Sequence, residues 1–153
     1  MRYAATTGVS SEKSRNEIEK ILTRYGATGF AYAWQGDMAL IGFNMNNRMV
    51  RFRLPMPPKD SREFTHTEGR GSKRSPQDAQ KAWEQAGRQR WRALALAVKA
   101  KLEAVESQIT SFETEFMAHI VMPNGKTAGE ILLPQIEDSY KNGKMPSLLE
   151  FKT

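Results

Sequence analysis

The chain has 153 residues and a net charge of +6, from 23 basic and 17 acidic side chains. This length suits one domain with a hydrophobic core, and we expect a single domain over residues 1–153. Cysteine is absent, which excludes disulfides, thiol catalysis and cysteine-based zinc sites and favours a cytoplasmic protein. Apolar runs stay short of the ~18 residues of a membrane span, so we expect no membrane partner. The positive charge favours acidic partners, nucleic acid first.

The first periodic stretch predicts an amphipathic helix over residues 11–25. Gly26 follows it and suits the left-handed end of a helix. The apolar residues of this helix recur at helical spacing and share one face: Ile18, Ile21, Leu22 and Tyr25.

Residues 30–54 carry the clearest β pattern in the chain. Two tight turns, Gly36-Asp37 and Asn46-Asn47, divide this stretch into three antiparallel strands, a β-meander. The register that two-residue turns impose gives one face that is apolar throughout, and we interpret its side chains as core. These residues are Phe30, Tyr32, Trp34, Ala39, Ile41, Phe43, Val50, Phe52 and Leu54.

The other face of the predicted sheet is shallow and carries small residues beside Arg51 and Arg53. A polynucleotide backbone fits such a surface, with the two guanidinium groups on phosphates. A solvent-exposed face and a face covered by a neighbouring subunit fit the same pattern, and the spacing does not separate the three.

Residues 55–74 have the composition of a mobile basic linker. The segment ends with Arg70, Lys73 and Arg74 among glycine and serine, just before a helix start. The spacing of a Walker phosphate-binding loop is absent. Two interpretations stay open, a plain linker and a segment that contacts phosphates as it becomes ordered.

A long amphipathic helix is predicted over residues 76–120. A serine cap at Ser75, a proline at the first helical position and an acid three residues after the cap mark its start. Apolar residues then recur every three or four positions. Gly87 and Ser107 are candidate breaks, and the pattern does not decide whether the helix is continuous. A helix of this length outruns a small core, which favours oligomerisation.

Basic residues are concentrated in the first half of this helix and acidic residues in the second. Lys81, Arg88, Arg92 and Lys99 are separated by seven, four and seven positions, so they form one stripe beside the apolar face. Glu84 is the single acid between residues 81 and 101. A binding surface for an acidic partner and an ordinary solvated face are about equally favoured.

A second capping box, Thr127 with Glu130, predicts a short helix over residues 128–141. An apolar tail follows it, and we expect this tail to dock on the domain or on a neighbouring chain. Its apolar residues include Leu148, Leu149 and Phe151.

No catalytic or metal-binding motif is evident in the sequence. His66 and His119 form no metal-binding pair, and Glu103 and Glu106 are interpreted as solvated neighbours on a helix. The nucleophile elbow of hydrolases and the clustered carboxylates of nucleases are missing. We therefore predict a protein that is not an enzyme and uses no metal or cofactor.

Residues 24–30 (RYGATGF), 48–57 and 88–106 resemble a family of small proteins of unknown function encoded by tailed bacteriophages and prophages. The order of a short helix, a β-meander and a long basic helix is similar to the core of phage single-strand annealing proteins of the RecT and Erf type. That similarity implies rings or filaments that hold single-stranded DNA in a basic groove. It places five residues on the DNA backbone, namely Arg51, Arg53, Arg88, Arg92 and Lys99.

The sequence thus predicts an α+β protein whose leading function is oligomeric, phage-encoded binding of single-stranded DNA, in strand annealing or recombination. The alternative is an oligomeric protein-interaction module that acts on a host factor, as a counter-defence inhibitor does. The predicted nucleic-acid-binding residues are Arg51, Arg53, Arg70, Lys73, Arg74, Lys81, Arg88, Arg92 and Lys99.

Overall fold

The computed structural model describes Ala4 and residues 7–146. The chain is of the α+β class, as predicted, and its elements follow the predicted order. The expected apolar tail at Leu148, Leu149 and Phe151 lies outside the described residues. The elements are α1 (Ser11–Arg24), β1 (Thr28–Gln35), β2 (Met38–Met45), β3 (Arg48–Pro55), α2 (Arg62–Thr65), α3 (Pro76–Glu106), α4 (Phe112–Phe116), a 3₁₀ turn (Met117–His119) and α5 (Ala128–Asn142).

The three strands form one antiparallel sheet in the order β1-β2-β3. Asn46 and Asn47, between β2 and β3, have φ angles of 51° and 58°, the left-handed values of a type I′ hairpin turn. The predicted register is confirmed in the middle of the sheet, where Ile41 pairs with Tyr32 on one side and Phe52 on the other.

Two residues of β1 depart from the prediction. The register shifts between Thr28 and Ala31, so Phe30 is not aligned with its expected partner in β2. Trp34 pairs with Ala39 as predicted, but its side chain is 62% exposed and is not part of the core. Trp34 is exposed because it borders an open cleft beside α3.

Helices α1 and α3 cover the apolar face of the sheet and pack against each other. The central side chains are fully buried, and the aromatic rings of the strands lie edge-on to Phe116 of α4. Within α3, burial is concentrated from Trp91 to Leu102. The first three turns of α3 therefore extend beyond the main core, and they carry much of the surface described below.

The prediction of one helix over residues 76–120 is wrong at the C-terminal end, because α3 ends at Glu106. Gln108 has a φ of 60°, a left-handed conformation that no α-helix continues through. Ser111 then caps α4, which returns Phe112 and Phe116 to the same core. The apolar spacing runs on across the break because both helices face one core, so helix length no longer argues for oligomerisation.

The segment predicted as a mobile basic linker, residues 55–74, contains local structure. Phe64, in α2, is buried, and His66 and Lys73 form an antiparallel bridge that closes a loop. The amide of Arg74 donates to the carbonyl of Thr65 at 2.7 Å. One apolar anchor and a closed loop are enough to order a segment whose composition is that of a linker.

Candidate nucleic-acid interface

The net charge of the chain resides in one continuous segment. Residues 59–101, which we call the basic segment, contain eleven basic and five acidic side chains, an excess of six. The whole chain has 23 against 17, so the remainder of the sequence is balanced. The basic segment comprises α2, the loop after it and most of α3. Any electrostatic attraction of a polyanion is therefore directed at this part of the molecule.

Arg51 and Arg53 project from the sheet face that α1 and α3 leave open, and both are engaged with the start of α5. The Arg53 Nε lies 2.9 Å from Glu130 Oε1, and the Arg51 Nη2 lies 3.6 Å from the same oxygen. Arg51 also donates to the carbonyl of Gly125 at 2.9 Å. These arginines are already paired within the chain, and a phosphate would have to compete with Glu130.

Two further predicted residues hold the fold together. Arg92 forms an ion pair with Glu17 and so ties α3 to α1. Arg74 donates to the carbonyls of Glu63 and Phe64, each at 3.0 Å. Both guanidinium groups are committed to internal partners, which makes them weaker candidates for an external ligand.

Four other predicted residues are available to a ligand. Within the described part of the chain, no ion pair or side-chain hydrogen bond holds Arg70, Lys73, Lys81 or Lys99, and all four are exposed. Lys81 and Lys99 lie about 27 Å apart along α3, by the ~1.5 Å rise of a helix. We call these four side chains, together with Arg88, the basic row. The remaining four predicted arginines, namely Arg51, Arg53, Arg74 and Arg92, are paired within the chain.

A cleft of about 420 Å³ opens beside this row, between the start of α1, the end of β1 and the first turns of α3. Trp34, Trp83 and Trp91 line it, and we call it the tryptophan cleft. Trp34 is 62% exposed, Trp83 is half-buried and Trp91 is buried. Two indole rings thus remain accessible above a floor that is part of the core.

Gly87 is the reason that the cleft exists on the surface of a helix. It lies between Trp83 and Trp91, four residues from each, and it lines the cleft. A side-chain carbon added at Gly87 would meet no atom within 4 Å, so the space above it is open. Glycine costs roughly 1 kcal/mol relative to alanine in a helix interior, and here it keeps the floor of the cleft low.

The indole of Trp83 is fixed in place by its polar edge. Its Nε1 donates to the carbonyl of Pro57 at 3.0 Å, and the Nζ of Lys59 lies 4.4 Å from the ring. The anchored ring is pre-organised, so a ligand that stacks on it loses little side-chain entropy.

The charged residues that line the cleft have a net charge of zero, since Arg15 and Arg88 are matched by Glu12 and Glu84. Arg88 is held by its neighbour Gln85, whose Oε1 accepts from Nε at 3.0 Å and from Nη2 at 2.6 Å. A neutral apolar cleft suits an uncharged aromatic group, while the phosphates attached to such a group belong on the basic row outside. Arg88 lines the tryptophan cleft and is also a member of the basic row.

Sequence reasoning missed the accessible part of this site. It assigned Trp34 to the core and treated Trp83 as one residue of an apolar helix face. A usable signal was present, since Gly87 stands between two tryptophans at four-residue spacing in an otherwise strong helix former. A residue without a side chain between two large side chains at this spacing indicates a notch on the helix surface.

Two titratable groups near the core have shifted pKa values, and the described residues form no metal-ligand cluster. Within the described residues, no cluster of three His, Asp or Glu side chains is arranged to hold a metal. Burial, and then the nearby Lys101, lowers the pKa of His119. Burial, and then Glu19, raises the pKa of Tyr32. No described helix is both long and apolar enough to cross a membrane.

Comparison of the chain with protein-family models, curated proteins and solved structures finds no match. The resemblances to a phage family and to RecT and Erf therefore stay predictions. Function has to be argued from the geometry of this site.

Proposed function

We propose that this protein is a non-enzymatic binder of single-stranded nucleic acid, with single-stranded DNA as its main ligand. The observation that carries the proposal is the position of two accessible tryptophans, Trp34 and Trp83, beside the basic segment. Aromatic platforms next to a basic track are the common means by which proteins bind single strands without reading sequence.

The tryptophan cleft favours single strands over duplex. In a duplex the bases are stacked on one another and their faces are inaccessible, whereas a single strand can place a base on an indole ring. The volume of about 420 Å³ falls in the range of about 300–1,000 Å³ of ligand pockets. Arg88, at the rim, is positioned between a base in the cleft and the phosphates along α3.

The basic row supplies the part of the affinity that does not depend on sequence. Lys81, Arg88 and Lys99 follow α3, and Arg70 and Lys73 extend from the adjacent loop. Neutralisation of phosphates by these side chains releases counterions, so the affinity falls as the salt concentration rises. In this arrangement α3 is the track, and the loop of the basic segment borders a different side of the same helix, at Ala82, Ala86 and Gln89.

The test is fluorescence anisotropy with labelled single-stranded and duplex DNA over a salt series. We expect the single strand to bind more tightly, with a slope against salt that reports the number of phosphates contacted. Equal binding of both forms would show general attraction to polyanions, and an absence of binding at low salt would refute the proposal.

Variants of the cleft separate stacking from charge. Trp34→Ala and Trp83→Ala should each weaken single-strand binding roughly ten- to hundredfold, the ~1–3 kcal/mol of one stacked base, without changing the salt slope. Lys81→Ala should lower the slope by about one contact. Lys144→Ala is the matched control, since that lysine is exposed, lies after α5 and is outside the basic segment. Unchanged affinity in both tryptophan variants would remove the cleft from the site.

Action in strand annealing is the finer form of the proposal. A protein that holds single strands on an open track leaves base edges free to find a complement. Mixing complementary labelled strands with the protein should then speed their pairing, and Trp34→Ala should slow it. Binding without faster pairing would restrict the function to strand protection.

A second candidate is a module that binds a host protein, and one observation favours it. Helix α5 exposes large apolar side chains, with Leu133 64% and Tyr140 89% exposed. If no nucleic acid binds at low salt, capture of a partner from host lysate that is lost in an α5 variant would support this candidate.

A further inference from the structure

Helix α5 is anomalous because it has no buried residue over its 15 positions. Leu133, Ile136 and Tyr140 are 64%, 45% and 89% exposed, and they lie three and four residues apart, on one face. Isolated helices of about 12–15 residues are marginal in water, and this one contains Pro134. A well-capped helix with an exposed apolar face is typical of a docking element.

The first turn of α5 fixes the direction of the helix. The hydroxyl of Thr127 accepts from the amide of Glu130 at 3.2 Å, and the Glu130 carboxylate accepts from the amide of Thr127 at 3.3 Å. A side-chain carbon added at Gly129 would lie 2.8 Å from the carbonyl oxygen of Ala118, so helix and 3₁₀ turn are in close contact there. Beyond this turn Ile131, Leu132, Gln135 and Ser139 are half-buried, whereas Leu133, Ile136 and Tyr140 are exposed.

A second surface of the chain is also uncovered, namely the outer face of the sheet, opposite α1 and α3. Ala31, Ala33 and Met49 are exposed there, and Leu40 and Gly42 are half-buried. Small side chains in the middle of this face make a shallow trough. A sheet with helices on one side only leaves an apolar layer that another element can cover.

The helix and the trough agree in size and shape. Leu133 to Tyr140 spans about 10 Å by the ~1.5 Å rise of a helix, and three strands at ~4.8 Å spacing are about 10 Å wide between the outer two. Large side chains on the helix meet alanine and glycine on the sheet. This is the combination that lets a helix approach a sheet closely.

The two surfaces are complementary in charge as well. Arg51 and Arg53 are the ionisable side chains of the outer face, and α5 beyond its first turn carries two acids, Glu137 and Asp138, against Lys141. Glu130 already pairs with both arginines of its own chain. One of the two positive charges of the outer face therefore remains uncompensated within the chain, and α5 beyond its first turn has one acid in excess, so the remaining charges of the two surfaces are opposite.

We propose that α5 of one copy packs in the outer trough of a second copy, so that two chains form a two-fold dimer. Each protomer offers one helix and one trough, and reciprocal docking covers both surfaces in a closed arrangement. The tryptophan cleft lies on the α1 and α3 side of the sheet, so both clefts stay open in the dimer. The occupant of the trough is thus a second copy of this chain.

Sedimentation velocity of the full chain without nucleic acid tests the dimer independently of the proposed function. We expect a concentration-dependent dimer, and Ile136→Glu should raise its dissociation constant at least about tenfold, as loss of an apolar anchor does. Ile109→Glu is the matched control, because Ile109 is 80% exposed in the turn before α4. A purely monomeric chain, or a dimer insensitive to Ile136→Glu, would overturn the proposal.

The absence of native cysteine allows a direct test of which surfaces meet. Under oxidising conditions, a mixture of Ile136→Cys and Ala33→Cys chains should give a disulfide-linked dimer in excess of either variant alone. Cross-linking of Ile136→Cys with itself at the same yield would indicate a helix–helix dimer and contradict docking in the trough. Circular dichroism of each variant confirms that α5 is intact, so loss of the helix is not mistaken for loss of the contact.

Discussion

Helices α1 and α5 are nearly equal in length, with 14 and 15 residues, and each has a side-chain cap and an apolar face. Their surroundings differ completely. Ile18 and Leu22 of α1 are 1% and 0% exposed, whereas α5 buries no side chain. An amphipathic pattern therefore indicates that a helix has something to bury, and it does not indicate which surface covers it.

The difference originates at the ends of the two helices. After α1 the chain turns at Gly26, whose φ is 95°, and leads directly into β1 beneath the helix. The hydroxyl of Tyr32 then donates to the carbonyl of Arg15 at 3.3 Å. No strand follows α5 within the described residues.

The largest expected difference is in the cost of truncating a leucine. Leu22→Ala should lower the free energy of unfolding by about 3 kcal/mol, because it leaves a cavity in a packed core. Leu133→Ala, in a solution dilute enough for monomers, should change it by less than about 0.5 kcal/mol. Urea unfolding with an unchanged m-value measures both. Comparable losses in the two variants would mean that α5 is packed within its own chain.

Removal of a helix cap should have a smaller effect on stability, and we expect this effect to be global for α1 and local for α5. Ser10→Ala should lower the midpoint of global unfolding, by about 1 kcal/mol, because α1 unfolds together with the core. Thr127→Ala removes a similar cap, and we expect faster hydrogen exchange along α5 with little change in the global midpoint. Ser10→Thr and Thr127→Ser keep a hydroxyl and serve as controls. A global loss in Thr127→Ala would show that α5 and the core unfold as one unit.

The smallest expected effect concerns pH and the turn on which α5 rests. The ring of His119 lies 4.2 Å from that of Phe52, and burial, then Lys101, lowers its pKa. The unfolded chain then takes up a proton at higher pH than the folded chain, so stability falls as the pH decreases through about 6.5. Urea midpoints between about pH 7.5 and 5.5 should fall less in His119→Gln. An equal fall in this variant would assign the pH dependence to other groups.

The sequence carried enough information to predict the class, the element order and the sheet register. Alternation fixes which strand residues face one way, and two-residue turns fix which residues pair, so the positions of Ile41 and Phe52 follow without a structure. The caps at Ser75 and Thr127 were predicted for the same reason, since capping depends on neighbours in sequence.

Tertiary structure decided what the sequence pattern left open. Spacing alone continues from α3 into α4, and only the left-handed Gln108 and the shared core show where the helix ends. Strand alternation and helical spacing predicted Arg51, Arg53 and Arg92 as binding residues, but their acidic partners, Glu130 and Glu17, are distant in sequence and close in space. Trp34 lies on the predicted face of β1 but is exposed. Strand alternation gives the face on which a residue lies, whereas the extent of the covering helices decides whether that residue is buried. Local interactions are encoded by neighbours in sequence, whereas burial and charge pairing depend on the surfaces that folding brings together.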